Sequence, residues 1–560
     1  MPHDAYDKLA AFERKADERM QSLPLWKLPY RSVRSAALIA ADNAFSGGRF
    51  RNHREPEPEK GLAMIARFSY WRPYLRQCAR EIGTGIENAL SVVSIDGHRQ
   101  IAQALLYSHF CELMPFVHRK ALAVECTPSG FHLRYPTESA ARMEALDVIV
   151  SEFALTALSE RFSYDHHRLL RMVHTWPYCD VADLYAVLRQ GYTFHLGNVR
   201  EHAFINADAY ERVLGFQHAE FVRVRAAMMA LASWCLGMAS AAEAHAIGSQ
   251  RREQDRFGFE CFEWLAPLLR RDFVHGIIRQ LAEVPTERAA EILRYFEEDP
   301  FAELGISGEG YLTPFSTYDG SVMVSPRAIL QMTAERNVLY VLNKLDRRRF
   351  DEFVSAELEP SLLGHAKQLI DRIPGVETRI NVQWRGGEID LLAYCNKTNS
   401  AIQFQAKAAI PPCGARMTRQ LEANTRTAVR QLKGFEDLVA DEKSALIERV
   451  FNVQAGPVTW ASGVLSRSSF GSLDAWKAIG SRAALNLPLL KFVTDQFGDE
   501  PHADLTKFPE YAARFLEEVA DEAIIGWEDQ PIDVFGTIVV APILRLNNDA
   551  ISRRRAALLS

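Results

Sequence analysis

The chain has 560 residues, 48% of them hydrophobic and 10% aromatic, with 65 Lys and Arg against 71 Asp and Glu for a formal net charge of −6. That apolar content excludes a wholly disordered chain, and the length suits roughly two to four packed domains. The acidic balance argues against a generally basic nucleic-acid coat but permits a local basic groove, because a partner responds to local potential.

The opening segment "MPHDAYDKLAAFERKADERM" reads as a charged helix without an apolar secretory core. Ser46–Gly61 mixes Gly, Pro and charge and reads as a loop. Amphipathic helical stretches follow over Ile101–Val117, Glu138–Arg161, Val181–Arg189, Glu211–Ala246, Phe262–Leu281 and Thr286–Glu298. One of them contains the uncharged run Ala226–Ala242, rich in Ala and Ser. It is short for a membrane span, and a buried central helix is the expected reading. His166, His167, His174, His195 and His202 lack HExxH spacing and are expected to be core or surface histidines. The eight cysteines (Cys78, Cys111, Cys126, Cys179, Cys235, Cys261, Cys395 and Cys413) are scattered, with no CxxC and no zinc-binding Cys/His group. This excludes a zinc finger, suggests no disulfide framework and fits a reducing, cytoplasmic setting.

The pattern changes near Asp299. Gly305–Gly310, "GISGEG", lacks the Lys-Ser/Thr of a phosphate loop and reads as a turn. Tyr318–Ser321 is expected to turn a hairpin between Tyr311–Ser316 and Ser321–Val324, and Ser325-Pro326 to open a helical stretch reaching about Ile373. Beyond Pro374-Gly375, strand candidates are Thr378–Trp384, Glu388–Tyr394, Ala401–Ala408, Val458–Leu465 and Thr537–Val540. A helix is expected over Met417–Val439, and others between Leu473 and Ala523. The expected fold is an α+α/β chain: an all-helical region over 1–298, a connecting hairpin and helix over 299–350, an α/β domain on a small mixed sheet over 351–545, and a tail over 546–560.

Two strands carry unexpected charge. Strand alternation places Glu388, Asp390 and Leu392 on one face and Ile389, Leu391 and Ala393 on the other; in the next strand Gln403, Gln405 and Lys407 share a face. A hairpin through Cys395–Ser400 brings Asp390 toward Gln405 and Lys407. A hard cation such as Mg²⁺ or Mn²⁺ wants oxygen ligands, here from Asp390, Gln405 and the Ala406 carbonyl. Lys407 would orient water or balance phosphate charge, a set suited to metal-assisted phosphodiester hydrolysis.

"GGEID", then 14 residues, then Gln405-Ala406-Lys407 resembles the core of the PD-(D/E)XK nuclease superfamily, in the QxK form of Mrr-type enzymes. The resemblance covers roughly Asp351–Arg545 and implies a restriction-endonuclease-like domain that binds and cuts nucleic acid, DNA first. It implies Asp390 as metal ligand, Gln405 in place of the second acid, and Lys407 as the catalytic cation; Glu388 shares the face of Asp390 and would offset the missing acid. The family brings a further acid from the preceding helix. Glu357 and Glu359 are candidates, and Glu359 is preferred because it begins an apolar helical stripe, although His365 lies nearer the expected distance from Pro374-Gly375. The glutamine of the following helix corresponds to Gln431, with Gln420 as runner-up, and Arg416, Arg419, Arg426, Arg430 and Lys433 form a basic run suited to phosphates. A nuclease joined to an unfamiliar helical module suits defence against foreign DNA by analogy, with no membrane role and with homo-oligomerisation left open. The alternative is a catalytically degenerate nuclease fold serving as a nucleic-acid- or protein-binding scaffold.

Overall fold

In the computed structural model, the residues described are 2–45, 65, 67–79, 95–154, 162–198, 204–248, 264–298, 312–318, 320–411, 415–498 and 502–559. The loop at 46–61, the glycine run 305–310, His202, Cys261, Cys413 and the side chain of Arg416 lie outside them.

Thirteen strands build three sheets among these residues. In chain order they are β1 (Ala123–Thr127), β2 (Gly130–Arg134), β3 (Leu268–Arg270), β4 (Glu297–Glu298), β5 (Phe315–Tyr318), β6 (Ser321–Val324) and β7 (Val376–Trp384), then β8 (Gly387–Cys395), β9 (Ser400–Lys407), β10 (Thr459–Ser466), β11 (Ala483–Leu485), β12 (Ile524–Val534) and β13 (Thr537–Leu546). The central sheet runs β11-β10-β9-β8-β7, a second runs β1-β2-β13-β12, and a third β3-β6-β5-β4.

Helices dominate the N-terminal half and a mixed sheet follows, but that half is not all helix. β1 and β2 pair antiparallel, because "TPSG" at Thr127–Gly130 supplies a turn between two short strand-forming runs. β2 then pairs in parallel with β13, at the end of the chain. Gly130 permits this approach: a Cβ there would meet the Ile538 carbonyl oxygen at 2.2 Å. The C-terminal hairpin, expected within the 351–545 unit, therefore joins a sheet begun in the N-terminal half, and Ile532, Val534, Val539 and Ala541 pack with Trp26, Trp71 and Phe110. The expected tail is the helix Asn548–Leu559, whose Arg555 bonds Glu152 at 3.2 Å.

The expected helix over Glu211–Ala246 is two helices, Tyr210–Leu214 and His218–Gly248, parted at Gly215 with its left-handed φ of 90°. Within the expected helix over Phe262–Leu281, residues Leu268–Arg270 form β3 instead, and Arg271–Ala282 is helical. His218–Gly248 contains the apolar run. Of its most apolar window, 83% is buried inside the fold, as suits the core helix of a folded domain, with Met228, Leu231, Trp234 and Cys235 fully enclosed. His195 is buried beside it and shares a 2.8 Å hydrogen bond with Ser233.

The central sheet is mixed: β7, β8 and β9 are antiparallel neighbours, whereas β9, β10 and β11 run parallel. The helix Ser355–Ile370 packs on β7, β8 and β9 through Leu362, Ala366 and Ile370. The helix Ala415–Glu436 crosses β9 and β10, where the Leu432 carbonyl accepts the Gln403 amide at 3.4 Å. The N-terminal half is clamped to this unit by buried polar bonds. Asp147 accepts the Phe470 and Gly471 backbone N–H groups at 2.9 and 3.1 Å and the Trp476 indole N–H at 3.0 Å.

Candidate metal and nucleic-acid site

β8 and β9 carry the candidate site, and their pairing follows the expected hairpin, with Leu391 opposite Phe404 and Leu392 opposite Gln403. Strict alternation along β8 stops at Asp390. Leu391 and Ala393 pack in the main core, whereas Ile389 packs with Leu392 and Tyr394, on the other set of contacts. The physical reason lies on β7. The ladder joins Ile380 to Leu391 and Val382 to Ile389, with Asn381 and Asp390 between them. Asn381 has a φ of 56°, a left-handed conformation that rotates the strand and reorients the side chains beyond it. The expectation that Glu388, Asp390 and Leu392 share one face by simple alternation is therefore corrected by a local twist at Asp390.

Asp390 is 7% exposed, and its Oδ2 accepts the Ala406 backbone N–H at 2.7 Å. This bond fixes the carboxylate against β9. Burial is the largest influence on its carboxyl and pushes the pKa from 3.8 up to about 6; the Ala406 N–H and Lys407 act against that, while Glu359 and Glu388 add to it. Glu359 is also raised, first by burial and then by Glu388, with Lys407 opposing. Three carboxylates and one ammonium thus share an electrostatic field. Among the described residues, no group of three His, Cys, Asp or Glu side chains gathers closely enough to hold an ion alone, so a metal here needs neutral oxygen as well.

Gln405 offers that oxygen. It is 1% exposed, and its Nε2 donates to the Glu388 carbonyl at 2.6 Å. A carbonyl only accepts, so this bond sets the amide orientation and leaves Oε1 outside the bond. Oε1 is buried without a hydrogen-bond partner. A buried acceptor in that condition costs stability unless something meets it. A buried carboxylate and an unmet amide oxygen are both donor types that a hard divalent cation accepts. Ala406 contributes its N–H to Asp390, as described above.

The candidates on the helix Ser355–Ile370 separate. Glu357 forms a 2.5 Å ion pair with Arg212 and is spent at the surface of the N-terminal half. Glu359 faces the Asp390 field and is half-buried. Arg467 was not singled out by sequence, yet its guanidinium donates at 2.7 Å to the Leu358 carbonyl, next to Glu359, and lies over the Phe204 ring. Burial lowers its pKa to about 10. Gln383, also not singled out, hydrogen-bonds the Glu388 carboxylate across the β7–β8 pair. Its position opposite Glu388 in a short hairpin was the available signal.

The basic helix is less uniform than its composition suggests. Arg419, Arg430, Gln431 and Lys433 are exposed. Arg426 is committed within the fold: one of its nitrogens bonds Glu422 and Asp474, each at 2.7 Å. Glu422 is 8% exposed and also receives Arg119 at 3.2 Å and the Ser472 hydroxyl at 2.5 Å, so Arg426, itself exposed, also takes part in a structural ion cluster. Gln420 bonds Asn424 at 3.2 Å along the helix. No family model, curated protein or solved structure matches the chain.

Proposed function

We propose that the chain is a metal-dependent nuclease, acting first on DNA, with its site at the β8–β9 pair and PD-(D/E)XK as the family it resembles. The observation that carries the reading is the unmet buried Oε1 of Gln405, one residue before the Ala406 N–H that holds the buried, raised carboxyl of Asp390. Supporting it is the order of elements around the pair: a helix bearing Glu359, three antiparallel strands, two helices (Ala415–Glu436 and Ala440–Phe451), and a strand parallel to the third.

Asp390 and the Gln405 amide oxygen would hold Mg²⁺ or Mn²⁺, with Glu359 and Glu388 supplying further negative field. When bound, such an ion supplies Lewis-acid polarisation of a phosphate oxygen and lowers the pKa of attached water. The Ala406 N–H orients Asp390, Gln383 orients Glu388, and Lys407 places positive charge where the phosphate becomes more negative during hydrolysis. Arg419, Arg430 and Lys433 are exposed on the crossing helix and serve the backbone of the nucleic acid. The test is cleavage of varied DNA and RNA by the full chain with Mg²⁺ or Mn²⁺. Cutting that is lost in Asp390→Ala and in Lys407→Ala is expected; intact substrates under all conditions, or variants that cut like wild type, would sink the proposal.

A second reading rests on the neutral Gln405: a nuclease fold kept as a scaffold that grips nucleic acid or protein without cutting. The two part on metal. A scaffold shows no Mg²⁺- or Mn²⁺-dependent rise in melting temperature that Asp390→Ala abolishes.

A further inference from the structure

Arg467 is a cation buried beside the β8–β9 site yet too enclosed to serve a nucleic-acid backbone. It is 8% exposed and follows Ser466, the β10 residue opposite Lys407 in the parallel ladder. From that strand end its Nη2 reaches the helix Ser355–Ile370 and donates to the Leu358 carbonyl at 2.7 Å, one residue before Glu359. The turn it meets is short of internal support. Pro360 lies inside the helix and has no N–H to donate back to the Ala356 carbonyl, so the ladder misses a bond beside Glu359. A fixed donor from outside the helix restrains that turn.

The other side of Arg467 faces the rest of the chain. Its guanidinium carbon stands 5.3 Å from the centre of the Phe204 ring, and Glu335 is the charge that favours its protonated form against burial. Glu335 is fully buried in the connecting helix Ala334–Leu345, and its Oε1 accepts the Phe204 and Ile205 N–H groups at 2.8 and 3.2 Å. The next residue, Arg336, donates at 2.9 Å to the Pro411 carbonyl beyond the end of β9. One helix therefore bears on the chain just past both β9 and β10, whose last residues are Lys407 and Ser466. Lys407 and Glu388 are the charges that act on Glu359, and Glu359 is among those that act on Asp390. Arg467 is not among the leading charges on either carboxyl, so its hold on them runs through the position of the backbone. We propose that Arg467 is a positioning residue, which ties the turn bearing Glu359 to Phe204 and Glu335 and so keeps Glu359 within the field of Asp390. Its part in cleavage rests on the nuclease reading; its part in placing the two carboxylates does not.

The test needs neither metal nor substrate. The stability gain of Asp390→Asn over its parent is followed against pH, by thermal melts of the full chain, in four backgrounds: unchanged, Glu359→Gln, Arg467→Met, and both together. In the unchanged chain the gain grows as pH rises from 3.8 and levels off near 6. Glu359→Gln removes a charge that raises the Asp390 carboxyl, so there the gain should level off at a lower pH and a smaller value. Arg467→Met should shift it in the same direction, and joining the two should shift it no further than Glu359→Gln alone. An Arg467 that only supports the fold would lower every melting temperature and leave the levelling pH in place. That outcome, or a combined shift equal to the sum of the two, overturns the proposal. Should Arg467→Met fail to fold, Arg467→Lys keeps a charge for Glu335 without the guanidinium fork and decides by the same readout. If Mg²⁺ and Mn²⁺ also leave the melting temperature of the unchanged chain unmoved, the nuclease reading fails while the positioning result stands.

Discussion

Replacing Asp390 by Asn tests the site without relying on any substrate. Asp390 is 7% exposed, and the pKa of its carboxyl is raised from 3.8 to about 6. Its charged form is therefore the disfavoured one in the folded chain. Burial is the first cause, and the Glu359 and Glu388 carboxylates add to it. At about 1.4 kcal/mol per unit, the ionised side chain costs the fold on the order of 3 kcal/mol. The sign follows from linkage. With the folded pKa above the unfolded one, the folded state is most favoured below 3.8 and loses this contribution as pH rises through about 6. An Asn keeps an acceptor for the Ala406 N–H and removes the charge. Asp390→Asn should therefore melt at a higher temperature than wild type above about pH 6, and the gain should shrink toward zero near pH 3.8. Mg²⁺, which favours the ionised carboxylate, should raise the melting temperature of wild type and leave the variant unmoved. The assay is a set of thermal melts across this pH range, with and without Mg²⁺. A variant less stable than wild type at neutral pH, or a gain that does not change with pH, would refute the reasoning.

Lys407→Met should lower cleavage about 100-fold or more, as loss of a fixed transition-state charge does. It should also move the acidic limb of the pH–rate profile upward, because Lys407 holds both Asp390 and Glu359 down. Gln405→Glu should destabilise the metal-free chain by about 1–3 kcal/mol through a further buried charge, and tighten Mn²⁺ binding in a melting-temperature titration. Alanine at Arg419, Arg430 or Lys433 should each reduce the slope of log affinity against log salt by about 0.9 per lost phosphate contact in a binding titration. Arg426→Ala should leave that slope unchanged but lower the melting temperature, because Glu422 loses a partner in its buried cluster.

Much of the central unit was legible because its signals are local. The five strand candidates after Pro374 correspond to β7, β8, β9, β10 and β13, and the crossing helix at Met417–Val439 to Ala415–Glu436, each marked by apolar period and turn residues. β11 at Ala483–Leu485 and β12 at Ile524–Val534 were not picked out. The first is three residues long, and the second carries Glu528, Asp529, Gln530 and Pro531 where an interior strand would be apolar. The β1–β2 hairpin was missed although "TPSG" announced a turn, because its flanking runs are only five residues each and sit between long helices. At the site, the apolar stripe that Glu359 begins agrees with its place near Asp390, while Glu357 pairs with Arg212. The commitment of Arg426 to Glu422 and Asp474 was not legible, since Asp474 lies 48 residues away.

The sequence by itself determined the strand character of β8 and β9, the order D…QxK and the turn that pairs them, all consequences of neighbours in the chain. Tertiary structure decided the rest. It drew the C-terminal hairpin to the N-terminal core, set a left-handed Asn381 opposite Asp390, and enclosed Asp390 so that its carboxyl is raised. It also left the Gln405 and Gln403 oxygens unmet. Desolvation and hydrogen-bond satisfaction depend on every atom within a few ångströms, whatever its place in the chain, and so neither can be read from residue type and spacing alone.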